Sequence, residues 1–197
     1  MEVIAKQERS QKRIDRIVDA AIQIIESKDI DALSLAKVAE ISGLKRTSTY
    51  KFIPTVNTLK ELVIIKCIDE CVDCFDNDLN ELDLDVDISK VTNLIVTVIF
   101  DFFINSLVSQ KIILGYTINP PLNSKCIHKL GSAIEKTYER NIDINDVFNK
   151  AGVCRVIAQI ILSVFSLNTK ESGTLNDVGK IEATRAASAY LESWINK

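Results

Sequence analysis

The stretch "SGLKRTSTYKF", Ser42–Phe52, follows the short apolar pattern "SLAKVAEI", Ser34–Ile41. One Gly, then a cluster of cations, hydroxyls and an aromatic, is an unusual way to leave a helix. Leu35, Val38 and Ala39 recur at helical spacing, and Ser34 is placed to cap them, so a short helix is predicted over 35–42. Gly43 suits the left-handed position that ends a helix sharply. A second short helix is predicted over 46–52. Pro54 cannot sit inside a helix and disfavours helix at Ile53. Two short helices joined by a tight Gly turn make a helix-turn-helix. The small Ala39 allows a close crossing, and Leu44 and Phe52 are expected to anchor the second helix.

The outer side of that helix carries the chemistry a duplex asks for. Lys45, Arg46 and Lys51 can neutralise phosphates. Thr47, Ser48, Thr49 and Tyr50 bring hydroxyls for phosphates or base edges, and a Thr methyl can meet a thymine methyl. Ser34 and Lys60 are further candidates for backbone contact. The simpler reading is a solvated polar connection between two helices. Charge distribution favours the first: residues 1–66 hold 12 Lys+Arg and 9 Asp+Glu, a balance of +3, whereas residues 67–197 hold 12 and 18, a balance of −6. A basic terminal module on an acidic body is the electrostatic footprint of nucleic-acid binding, although the net charge of the whole chain is −3.

Around this module the pattern is helical. Ile14, Ile17, Val18, Ala21 and Ile25 predict an amphipathic helix over about 11–27. Thr55 is expected to cap a long fourth helix reaching about residue 80. "NELDLDVDIS", Asn80–Ser89, reads as an acidic connection whose Leu/Asp alternation would suit a short strand. A fifth helix is predicted over about 89–112, then a loop with Pro120 and Pro121. The later helices run from just after that loop to about 140, over 145–168, and over 176–195. With 3 Pro and 6 Gly in 197 residues, the expected fold is all-α. Two domains are expected: 1–55 for the helix-turn-helix and 56–197 for a helical body.

The segment Val91–Leu114 is apolar enough to suggest a membrane span. Asp101 near its middle would cost roughly 3 kcal/mol on insertion scales, so a buried bundle helix, with no membrane, is expected. No signal peptide is read at the start, and five cysteines, Cys67, Cys71, Cys74, Cys126 and Cys154, suggest reduced thiols and a cytoplasmic protein.

Residues Gln11–Cys67 resemble the DNA-binding domain of TetR-family transcriptional regulators. The matching pieces are "RIVDAAIQII", Ser34 at the second helix, "VAEISGLK" through the turn, "STYKFI", and "TLKEL" entering the fourth helix. Lys45 stands where a small capping Ser or Thr is common in that family, Thr47 where Gly is common, and Val56 where Lys is frequent. The resemblance implies a homodimer on a near-palindromic double-stranded DNA operator. It also implies a four-helix dimer interface built from the last two helices, here Ile157, Ile160, Val164, Ala186, Ala189 and Trp194. A pocket between the middle helices would take a small, mainly apolar effector that releases the operator, with repression the commoner outcome. Cys71, Phe100, Asp101, Phe103 and Tyr116 are the candidates to line it.

Other classes are weaker. Cys67, Cys71 and Cys74 lie at i, i+4 and i+7 on one helix stripe, which fits core packing better than a metal or redox site. His128, the only histidine, sits near Cys126 without a zinc pattern. No phosphate loop, carboxylate pair or nucleophile elbow points to an enzyme, and neither a metal nor a cofactor is expected. A helical protein–protein interaction module that keeps the fold without DNA binding is the principal alternative, ahead of a cysteine-based redox or metal sensor.

Overall fold

A computed structural model describes residues 2–78, 87–115 and 122–195. The described residues are helical: α1 (Glu2–Ser27), α2 (Leu35–Ser42), α3 (Arg46–Phe52), α4 (Val56–Asp78), α5 (Ile88–Asn105), α6 (Leu107–Ser109), α7 (Ser124–Asn141), α8 (Lys150–Ser172) and α9 (Asp177–Ile195). A 3-10 turn (Ile30–Ala32) joins α1 to α2, and a π-helical turn (Gln110–Gly115) continues α6. No strand occurs among the described residues. The expected acidic connection and Tyr116 lie largely or wholly outside them.

The chain divides into two compact units, Met1–Ile64 and Ile65–Lys197, with the division inside α4. The first unit is held by the apolar face of α1. Ile17, Ala21 and Ile25 are fully buried, with Val38 of α2, Ile53 after α3, and Leu59 and Val63 of α4. The Arg16 guanidinium donates to Ser42 O at 2.6 Å. It places a cation on the C-terminal carbonyls of α2, where the helix dipole favours one. Ser34 caps α2 by accepting from Lys37 N. At the other end Gly43 adopts φ 66°, ψ 21°, and Leu44 N reaches back to Ala39 O at 3.1 Å. This closing bond is why the turn needs glycine.

In the second unit α7, α8, α9 and α5 pack around one core. Phe103, Phe165, Leu130, Tyr138, Ile157 and Leu191 are at its centre. Phe100 and Phe103 each meet Phe165 edge to face, at 6.0 and 6.3 Å between centroids. The buried Tyr138 hydroxyl is satisfied by Thr92 at 2.8 Å. α5 and α8 are each long and apolar enough to cross a membrane by length and composition, and each packs one face into this core.

Three expected helices differ in extent. α1 begins at Glu2 rather than near residue 11. α5 stops at Asn105 because Ser106 turns extended, φ −121°, ψ 92°, and its hydroxyl caps α6 at Ser109 N. Gln110 then locks the break. Its amide donates to Phe103 O at 3.0 Å, and its carbonyl oxygen accepts from Leu175 N at 3.2 Å. α8 begins at residue 150 rather than near 145. Asn149 takes the left-handed conformation, φ 54°, and its side chain caps Gly152 N.

Candidate nucleic-acid interface

α3 opens at Lys45, which has extended backbone and makes no side-chain capping bond. The first turn is closed instead by backbone: Ser48 N and Thr49 N both reach Lys45 O, at 2.9 and 3.1 Å. The position that favours a small hydroxyl cap is therefore free to present a cation. Lys45, Arg46, Thr47, Tyr50 and Lys51 are all exposed, and Ser48 is half-buried. Arg46 and Thr47 lie one turn from Tyr50 and Lys51, so the helix offers one continuous face of cations and hydroxyls. Tyr50 is 49% exposed, as is Ile41 at the end of α2. Phe52 turns inward, with the Arg13 guanidinium 5.8 Å from its ring centroid.

Three expected contacts are placed differently. Thr49 is fully buried, and its hydroxyl donates to Lys45 O at 3.4 Å, so it braces α3 rather than facing solvent. Lys60 is also buried, at 8% exposure. It sits on the inward side of α4 beside Leu59. Ser34 spends its side-chain oxygen on the α2 cap. α1 adds exposed Arg9, Lys12 and Arg13, which the apolar pattern used to find α1 gave no reason to single out.

The cysteine stripe packs as core. Burial pushes the Cys67 thiol up to about 11, from an ordinary 9.0, with a hydrogen bond to Ser109 opposing the shift. Burial raises Cys71 further and lifts Cys154 to about 12. These thiols stay protonated at neutral pH, the unreactive form. Among the described residues no group of three His, Cys, Asp or Glu is arranged to hold a metal ion.

The effector candidates separate. Cys71, Phe100 and Phe103 belong to the packed core, whereas Asp101 is exposed on the opposite side of α5. Thr97 and Asn105 line up with Asp101 by helical spacing, and their side chains bond back to Asn93 O and Asp101 O on α5. That stripe is a solvated face.

The expected dimer residues also divide. Ile157 is fully buried within the chain, as part of the core of the second unit. Ile160 and Val164 are half-buried on the outer side, continued by Val156, 41% exposed, and Leu167, 58% exposed. On α9, Ala189 is exposed and Ala186 half-buried. Tyr190 and Trp194 pack edge to face at 6.5 Å. Val178 and Ile181 are more than half exposed, and Phe148, just before α8, is 78% exposed. A cavity of about 850 Å³ lies along this surface, lined by Phe148, Val156, Ile160, Val164, Tyr190 and Trp194 among others.

No family model matches the sequence, and no curated protein matches it. The fold has many solved counterparts. A TetR transcriptional regulator from Rhodococcus sp. RHA1 superposes with a TM-score of 0.70 at 14% identity, covering 94% of this chain and 97% of that one. A TetR-family regulator from Streptomyces coelicolor gives 0.63 at 18% identity, covering 93% and 98%. The multidrug binding protein EbrR, solved with imidazole, gives 0.61 at 17% identity, covering 90% and 94%. The chain has the all-α fold of TetR-family transcriptional regulators, from its helix-turn-helix to its last helix.

Proposed function

We propose that this chain is a cytoplasmic, TetR-like transcriptional regulator that binds a near-palindromic DNA operator as a homodimer and releases it on binding a small effector, acting as a repressor. The observation that carries the reading is the exposed face of α3. Lys45, Arg46, Thr47, Tyr50 and Lys51 stand in solvent on a helix that the Gly43 turn and the Arg16–Ser42 contact hold against α2. Such a helix fits the major groove, where cations set position on phosphates and hydroxyls and aromatics reach base edges. The outer surface of α8 and α9 supports dimerisation, since stripes of half-exposed apolar residues mark partner surfaces. α4 runs without a break from Val56, just after α3, to Asp78 in the body, so it is the element through which an effector would act on the head.

The test is a selection from random DNA with purified protein, followed by titration in salt. One sequence should bind more tightly than bulk DNA, and log affinity should fall with log salt by about 0.9 per phosphate contact. If no sequence is preferred at moderate salt, the fold serves as a helical interaction module. A thiol-based switch is disfavoured by the buried, protonated Cys67 and Cys71.

A further inference from the structure

α7 sorts its charges by face. Glu139 turns toward α8, where Lys150 pairs with it at 2.5 Å. His128, Lys129, Lys136 and Arg140 turn the other way and ring a cavity of about 340 Å³ in the seam between α4 and α7. Val72 and Phe75 of α4 and Ala133 of α7 supply its apolar lining. The volume is at the small end of the usual range for ligand sites, about 300–1,000 Å³. Lys129 is engaged by Asp69 of α4. Among the described residues no carboxylate pairs with Lys136 or Arg140. The body that holds them is acidic, with 12 Lys+Arg against 18 Asp+Glu over residues 67–197, so a cationic rim here runs against the trend of the surface.

α7 is pressed onto α8 on its opposite side. A Cβ at Gly131 would meet Arg155 Cγ at 2.8 Å and its backbone at 3.1 Å. α7 is therefore fixed against α8, and the seam toward α4 is the side with room. An apolar lining with cations at its mouth is matched by a ligand with a short apolar body and one anionic end. Burying the body removes apolar surface from water, and the charge stays at the partly solvated rim, where pairing costs little desolvation.

We propose that the α4–α7 seam is the effector site and that the effector is an organic carboxylate with a short apolar chain, with Lys136 and Arg140 as its counter-ions. This rests on the reading of the chain as a ligand-responsive regulator. The seam acts on α4 through Val72 and Phe75, on the helix that begins just after α3.

Octanoate is the probe, with octanol and octylamine as matched controls, titrated into the full-length protein by calorimetry without DNA. Octanoate should bind one per chain, and octanol at least about tenfold more weakly, the scale of two partly exposed charge pairs. K136Q/R140Q should lose that discrimination while keeping its melting temperature, and K136E/R140E should prefer octylamine. Equal affinity for octanoate and octanol, or an unchanged K136Q/R140Q, overturns the site. With a selected operator, octanoate should release the native protein and not K136Q/R140Q, and binding that leaves operator occupancy unchanged overturns the effector role. The calorimetry needs no DNA, so failure of DNA recognition and failure of the ligand site give separate results.

Discussion

Replacing Val156 and Leu167 by Ser tests the α8 surface with little effect on the subunit itself. Both side chains are about half open in the single chain, at 41% and 58%, and substitutions at such positions usually change folding stability by less than about 0.5 kcal/mol. The cost falls on association. Full burial of a Val or Leu side chain stabilises by about 1.5–3 kcal/mol, so burying the open half contributes about 1 kcal/mol. A two-fold dimer carries each position twice, giving four sites and about 4 kcal/mol. At 1.4 kcal/mol per decade the dimer dissociation constant should rise about a thousandfold. Sedimentation equilibrium on native and V156S/L167S proteins reads this directly, with the urea midpoint of each as the folding control. A dissociation constant within a few-fold of native, or a native chain that sediments as a monomer at micromolar concentration, refutes the placement of the interface. Removing α9 altogether is a poorer test, because Ala183, Ala187 and Leu191 belong to the core of the same subunit.

Lys51→Ala should weaken binding to all DNA sequences alike and reduce the salt slope by about one phosphate contact, measured by fluorescence anisotropy at several salt concentrations. Gly43→Ala should lower stability by about 1–2 kcal/mol in urea unfolding, because φ 66° is left-handed backbone that a Cβ opposes. The alkaline limb should be steep. Cys67, Cys71 and Cys154 titrate higher when folded than the ordinary 9.0, so the folded state holds protons that the unfolded chain gives up, and their contribution is intact below pH 9 and lost above it. Three such thiols cost about 4 kcal/mol between pH 8 and pH 10. The loss should be much smaller in a C67A/C71A/C154A variant compared with itself at the two pH values, the remainder coming from Cys126 and Tyr138, which burial also raises.

The helix-turn-helix is legible because its punctuation is chemical. Ser34 before Leu35, Gly43 after Ser42 and Pro54 after Ile53 each leave the backbone few alternatives, and α2 and α3 have the bounds those residues set. α1 begins twelve residues before Ile14 opens its apolar pattern, since the arm ahead of it carries no sustained hydrophobic period to read. The break after Asn105 is hidden for the opposite reason. "FFINSLVSQKIIL" has apolar residues on both sides of the break and neither Gly nor Pro at it, and what stops α5 is the Ser106 hydroxyl together with Gln110, one of whose partners, Leu175, lies 65 residues away. Local pattern cannot report a bond of that separation. Thr49 was misplaced because a hydroxyl in a polar run looks exposed, and only the seven-residue length of α3 and its contact with α2 turn that one position inward.

α8 shows most plainly where the sequence stops being informative. Its apolar residues occupy nearly every face: Val153, Ile157 and Ile161 are buried, while Val156, Ile160, Val164 and Leu167 sit on the outer side. A helix that is apolar all round does not reveal which stripe its own subunit buries. The subunit decides through glycine and small residues. Gly131 lets α7 approach Arg155, and Gly179 lets α9 approach Asn168, whose side chain would lie 2.8 Å from an added Cβ. These two close approaches turn Ile157 and Ile161 inward and leave the other stripe to solvent or to a partner. Val164 still packs against the core, but Val156 and Leu167 are too exposed to help fill it, and this makes those two the sharper support for the proposed second subunit.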